Sequence, residues 1–209
     1  YELTRTPLAL GLVGLVGFLP TALLVFVAGH AADLYERKRV VQLCQIVEAL
    51  TAAFLAWGAY AGWLNVVDIF IATFVLGTTA AFESPATAAL LPLITPQGSL
   101  QRATALSSGA AQFATIAGPA LGGFAYAVSP ALPYGIMVLC WLLAALFTGA
   151  IQLTRPAAPK GAATPGDLFA GVRFIRGNPA ILGTLSLDLF AVLFGGVTAL
   201  LPIYASNIL

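Results

Sequence analysis

The sequence predicts an all-α, polytopic membrane helical bundle, and three observations carry that prediction. Of 209 residues, 60% are hydrophobic and only 8% charged, so the charges cannot coat a water-exposed surface. An ordinary soluble domain carries roughly 25% charged residues. Six apolar stretches each reach the ~20 helical residues needed to cross ~30 Å of hydrocarbon. None alternates polar and apolar residues as a lipid-facing barrel strand must, and helices satisfy their own backbone in lipid.

In chain order the stretches are residues 8–29, 40–63, 66–92, 103–128, 132–153 and 180–204. Basic residues sort between them. Arg37, Lys38 and Arg39 follow the first stretch, Arg102 the third, and Arg155, Lys160, Arg173 and Arg176 the fifth, so eight of nine fall on one side. The positive-inside rule makes that side cytoplasmic. Trp57, Tyr60 and Trp63 close the second stretch at the opposite end, and Tyr126, Tyr134 and Tyr204 stand at outer ends of others, as an interfacial aromatic belt requires. The chain opens on Tyr1, with neither a start methionine nor a leader, and reads as a fragment lacking at least one preceding span.

After the fifth stretch the composition changes. Residues 154–166 contain Pro156, Pro159 and Pro165 with Gly161 and Gly166, which neither pack nor stay helical. Thr164, Pro165 and Asp167 then supply the cap, first-turn proline and acidic residue of a helix start. Leu168, Phe169, Val172 and Ile175 share a face opposite Arg173 and Arg176, the pattern of a short amphipathic helix on the cytoplasmic membrane surface.

The same composition excludes several functions. A formal net charge of +1 leaves no basic track for nucleic acid. One histidine, His30, two cysteines inside apolar runs, Cys44 and Cys140, and no phosphate-cradling glycine loop assemble no enzyme site, metal site or cofactor site.

Carboxyls in hydrocarbon need a reason, since each costs roughly 2.5–3.5 kcal/mol to insert at mid-membrane. Asp188 lies about eight residues, or about 12 Å of rise, into the last stretch. A carboxyl neutral in one state and ionised in another can carry a proton through a cycle; the alternative is a structural carboxyl tied to a polar neighbour. Glu48 follows Gln42 and Gln45 at spacings of three, a polar seam that serves packing or proton coupling. Glu83, just before Pro85, is expected near the inner end of its helix, where Arg37, Lys38 or Arg102 could meet it as a gate or an ordinary salt bridge. Asp68 and His30 sit near span ends, where solvation suffices.

Three motifs resemble one family. The stretch from Gly29 through Asp33 to Arg37, Lys38 and Arg39 resembles the cytoplasmic loop motif of the major facilitator superfamily. The resemblance makes Gly29 the place of close helix approach, Asp33 the acidic position, and the basic cluster the rest of a gating loop; Leu34 and Glu36 depart from it. Gly118-Pro119-Ala120-Leu121-Gly122-Gly123 is similar to the fifth-helix antiporter motif of drug exporters, with Ala114 at its upstream glycine. There Pro119 bends the helix, and Gly118, Gly122 and Gly123 admit a neighbouring helix. Ala81-Phe82-Glu83-Ser84-Pro85-Ala86, with Leu187-Asp188 running to Gly195-Gly196, looks like the enterobactin-exporter-like, drug-and-siderophore branch, although Thr87 stands where that branch often carries arginine.

By this resemblance the chain covers helices two to seven of the fold. Residues 1–153 would be the remainder of an N-terminal half-bundle of five helices, 154–179 a cytoplasmic central linker, and 180–209 the first helix of the second half. The resemblance implies a secondary transporter of the cell (inner) membrane, monomeric when complete. It would export an amphipathic small molecule, drug or siderophore, by alternating access coupled to protons, without a cofactor. Glu48, Glu83 and Asp188 are then the coupling candidates. Two other outcomes share the scaffold: a lysophospholipid flippase opening sideways to lipid, and a non-transporting membrane sensor or assembly protein.

Overall fold

The structure, a computed structural model, describes residues 7–152, 176–179, 181–184, 186–187 and 190, with the backbone alone at 7–10, 25–26 and 30–34. The chain divides into two compact units, Tyr1–Lys160 and Gly161–Leu209. Five helices make up the described part of the first: α1 (Pro7–Leu34), α2 (Arg37–Ala61), α3 (Val66–Ile94), α4 (Leu100–Val128) and α5 (Leu132–Ala150). In the second, Leu182 N donates to the Asn178 carbonyl at 3.0 Å. The sixth predicted stretch and the linker reading fall largely outside the described residues.

Local chemistry sets the helix ends. Gly62, at φ 72°, takes the left-handed conformation that closes α2. Three residues on, Asn65 caps α3: its Oδ1 accepts from Val67 N at 2.9 Å and Asp68 N at 3.2 Å, and Asp68 Oδ2 accepts from Asn65 N at 3.0 Å. Asp68 therefore completes a capping box, a role more specific than the solvation expected of it. Pro20, Pro85, Pro92 and Pro119 all lie inside helices.

Packing runs α1 on α3, α3 on α2 and α2 on α5, whereas α4 touches α3 and α5 only lightly. Successive helices are antiparallel, so the start of α2 meets the ends of α3 and α5. Val41, Ala86 and Leu90 are buried together there, flanked by Val40, Ile94 and Ile151. The closest crossing is between α1 and α3. A Cβ placed on Gly77 would overlap the Gly17 carbonyl, one on Gly17 would come 3.0 Å from the Thr73 methyl, and Thr21 Oγ1 donates to the Gly77 carbonyl at 3.3 Å. Small residues spaced four apart on each helix, Gly17/Thr21 and Thr73/Gly77, make this approach possible.

Among the described residues α2, α3 and α5 are long and apolar enough to cross a membrane, and Gly11–Leu24 of α1 is a shorter apolar stretch. Large side chains such as Leu23, Leu50, Ile116 and Phe147 point outward. In water that surface would aggregate; in lipid it is solvated.

One expectation needs correction. The stretch from Gly29 to Arg39 was expected to be a loop, yet α1 continues to Leu34 and α2 begins at Arg37, leaving Tyr35 and Glu36 as the connection. Ala31 and Ala32 favour the helix, and nothing between Gly29 and Leu34 stops it.

Candidate functional site

Along α2 the three polar residues spaced three apart divide their attention between two neighbours. Gln42 Nε2 donates to the Ala145 carbonyl of α5 at 3.3 Å. Gln45 Nε2 donates to Glu83 Oε1 of α3 at 3.0 Å. Glu48, one turn further, is 3% exposed and faces Thr79 and Glu83 on α3. A spacing of three turns the side chains progressively around the helix, which is why one stripe reaches both α5 and α3.

Glu83 is therefore not where a gate pair would put it. It lies about 16 Å of helical rise from Ile94, near the middle of α3, and its polar partners are Gln45 and Glu48 rather than the basic residues. Lys38 Nζ donates to the Ile151 carbonyl at 2.8 Å, placing a cation on the C-terminal end of α5, where the helix dipole favours it. Arg37 donates to the Ala89 carbonyl at 3.4 Å. Arg39 pairs with Glu36 at 2.6 Å on an exposed edge, worth under about 1 kcal/mol. Beside this pair a cavity of about 480 Å³ opens between Tyr35, Val40, Cys44 and Phe82.

Other expected site residues are more scattered. Gly29 lies in the last turns of α1, where a Cβ would meet nothing within 4 Å, and Asp33 is described by its backbone alone. The close helix approach expected at Gly29 is found instead at Gly17 and Gly77. On α4, Gly118, Pro119 and Gly123 are exposed and Gly122 is half-buried; a Cβ on any of the three glycines would meet nothing within 4 Å. Asp188 lies outside the described residues. Cys44 is buried and Cys140 exposed, both free, and no group of metal-ligand side chains occurs among the described residues.

At the C-terminal end of α2, the Trp57 and Tyr60 rings lie 6.3 Å apart, and Phe54 and Trp63 meet edge to face at 5.2 Å. All four are exposed, as rings at a lipid headgroup boundary would be.

A family model described as "Transmembrane secretion effector" matches residues 1–209. Macrolide efflux protein A of Streptococcus pyogenes is 23% identical over 211 residues, covering 99% of this chain and 52% of that protein. Macrolide efflux protein A of Enterococcus faecalis is 28% identical over 116 residues, 56% of this chain and 36% of the relative. The chain thus spans about half the length of the first of these.

Proposed function

The chain belongs to the transmembrane secretion effector family of the major facilitator superfamily, and from that premise we propose that the whole protein is a secondary exporter of the cell (inner) membrane. It crosses the membrane several times, works as a monomer, and moves an amphipathic small molecule outward by alternating access, driven by proton entry. Residues 1–153 serve as part of one half-bundle, 154–179 as the central linker, and 180–209 as the first helix of the other half. Gly29, Asp33, Arg37, Lys38 and Arg39 form the cytoplasmic latch. Pro119, with Gly118, Gly122 and Gly123 around it, is a hinge in α4. The observation that carries the reading is the polar seam of Gln45, Glu48 and Glu83, kept at mid-depth in helices otherwise apolar enough for lipid.

Because the matched relatives are named for macrolide efflux, a macrolide is the first substrate to try. The test is macrolide efflux from proteoliposomes containing the full-length protein, with and without an imposed pH gradient. Efflux should require the gradient. In the Asp188→Asn variant macrolide binding should persist while efflux loses its gradient dependence. Gradient-independent efflux by the wild type would overturn proton coupling, and full coupling in the variant would remove Asp188 from it.

A further inference from the structure

Between α2 and α3 there are more acceptor oxygens than protons to satisfy them. Gln45 is 8% exposed and Glu48 3%, so each is more than nine-tenths buried. Gln45 donates one amide proton to Glu83 Oε1. Its own Oε1, and Oε2 of Glu48, meet no donor. The Thr79 hydroxyl lies within hydrogen-bond reach of Glu48 but also of the Leu76 carbonyl at 2.9 Å, so its one proton is contested between the two. Two carboxyls and an amide oxygen therefore share a seam, buried at Gln45 and Glu48 and half-buried at Glu83, with one amide proton and one contested hydroxyl proton to serve them. A buried acceptor without a partner costs about 1–3 kcal/mol, and more if charged.

Charge makes the mismatch worse. Glu48 lies 11 residues after Arg37, and Glu83 lies 11 before Ile94, so both stand about 16 Å of rise from the cytoplasmic helix ends. That is the middle of a ~30 Å hydrocarbon layer. Lys38 and Arg37 sit at the start of α2 on the carbonyls of Ile151 and Ala89. On α3 the other ionisable residue is Asp68, in the cap at the outer end. Titratable residues on the remaining described helices are His30 and Asp33 in the last turns of α1, Arg102 and Tyr126 near opposite ends of α4, and Tyr134 and Cys140 on α5. Beside the two carboxyls the third titratable group is the Cys44 thiol, a weak donor. Two full negative charges a hydrogen bond apart at this depth would repel strongly and lack donors.

We infer that Glu48 and Glu83 hold one proton between them, as a carboxyl–carboxylate pair that Gln45 braces from the Glu83 side. A single proton on Glu48 turns an orphan acceptor into a donor, with the Glu83 carboxylate as the oxygen it serves. It also halves the charge in the seam. Release of that proton restores the repulsion and loosens α2 from α3, so binding and release at this place act on helix packing directly. The use of the proton in transport rests on the exporter reading above; its presence between α2 and α3 does not.

Infrared spectroscopy of the purified full-length protein, without any substrate, reads the proton itself. At pH 7 the wild type should show the C=O stretch of one buried protonated carboxyl per chain, shifted by ¹³C labelling of glutamate. Glu48→Gln and Glu83→Gln should each abolish it, because the new amide N–H supplies the missing donor and leaves the remaining carboxyl ionised. The band should be the same in sodium and choline buffers. A wild type with no such band would overturn the inference without any variant. So would a band insensitive to glutamate labelling, a band surviving in either folded single variant, or one that sodium removes, which would give the place to a metal cation. Because no substrate is present, the result is independent of whether the protein exports anything.

Discussion

Two glycine-bearing stretches of this chain have opposite surroundings. Where α1 crosses α3, Gly77 has no room for a methyl group, because the Gly17 carbonyl occupies the place of its Cβ. On α4, Gly118, Gly122 and Gly123 open onto empty space for at least 4 Å. The second stretch carries the recognisable motif; the first carries the contact. A glycine removes an obstacle, but an approach also needs a facing helix that is equally bare at the same height, and only the α1–α3 pair meets that condition among the described residues.

The largest effect should come from filling the tight side. Gly77→Ala sets a methyl against backbone that cannot turn away, and should cost about 1–3 kcal/mol. Gly77→Leu should abolish folded yield. Gly17→Ala should cost less, since the group it would press on is the Thr73 methyl at 3.0 Å. Thermal midpoints of the full-length variants, followed by fluorescence-detected size exclusion, check the order. A Gly77→Ala midpoint equal to wild type would erase the contrast between the two stretches.

A smaller loss is expected at the N-terminal end of α3. Asn65→Ala removes the acceptor of two N–H groups and should cost about 1 kcal/mol. Asn65 and Gly77 are 12 residues apart along α3, about 18 Å of rise, so the double variant should lose the sum of the two. Marked non-additivity would mean that the crossing and the cap are not independent.

Much of this helix arrangement was readable from hydropathy alone. The expected stretch 66–92 became Val66–Ile94, 103–128 became Leu100–Val128, and 132–153 became Leu132–Ala150. The error at Gly29–Leu34 has a physical origin: hydropathy marks where hydrocarbon ends, and a helix need not end with it. In the polar seam, the spacing of Gln42, Gln45 and Glu48 announced a stripe on α2. The identity of the partner was not legible, because which helix faces Glu48 is decided by packing between segments some 35 residues apart in sequence. Coulombic intuition suggested a basic residue for Glu83, and the fold supplied an amide and a second carboxyl instead. Gly17 and Gly77 were invisible for the same reason: among 21 glycines, nothing local distinguishes the two that meet.

The smallest effect, and the one that discriminates best, lies on the open side. In a helix interior with free space, glycine to alanine gains about 0.5–1 kcal/mol, because the chain loses less conformational freedom on folding. Gly109 and Gly118 both lie inside α4, and neither would place a Cβ within 4 Å of anything. Gly109→Ala and Gly118→Ala should therefore each raise the thermal midpoint of the full-length protein slightly, opposite in sign to Gly77→Ala. Gly109 stands outside the proline-containing motif, so it serves as the internal control for helix propensity. If Gly109→Ala stabilises and Gly118→Ala destabilises, a further helix must lie against the Gly118 face in the complete protein. The two stretches would then differ only in which part of the protein supplies the partner.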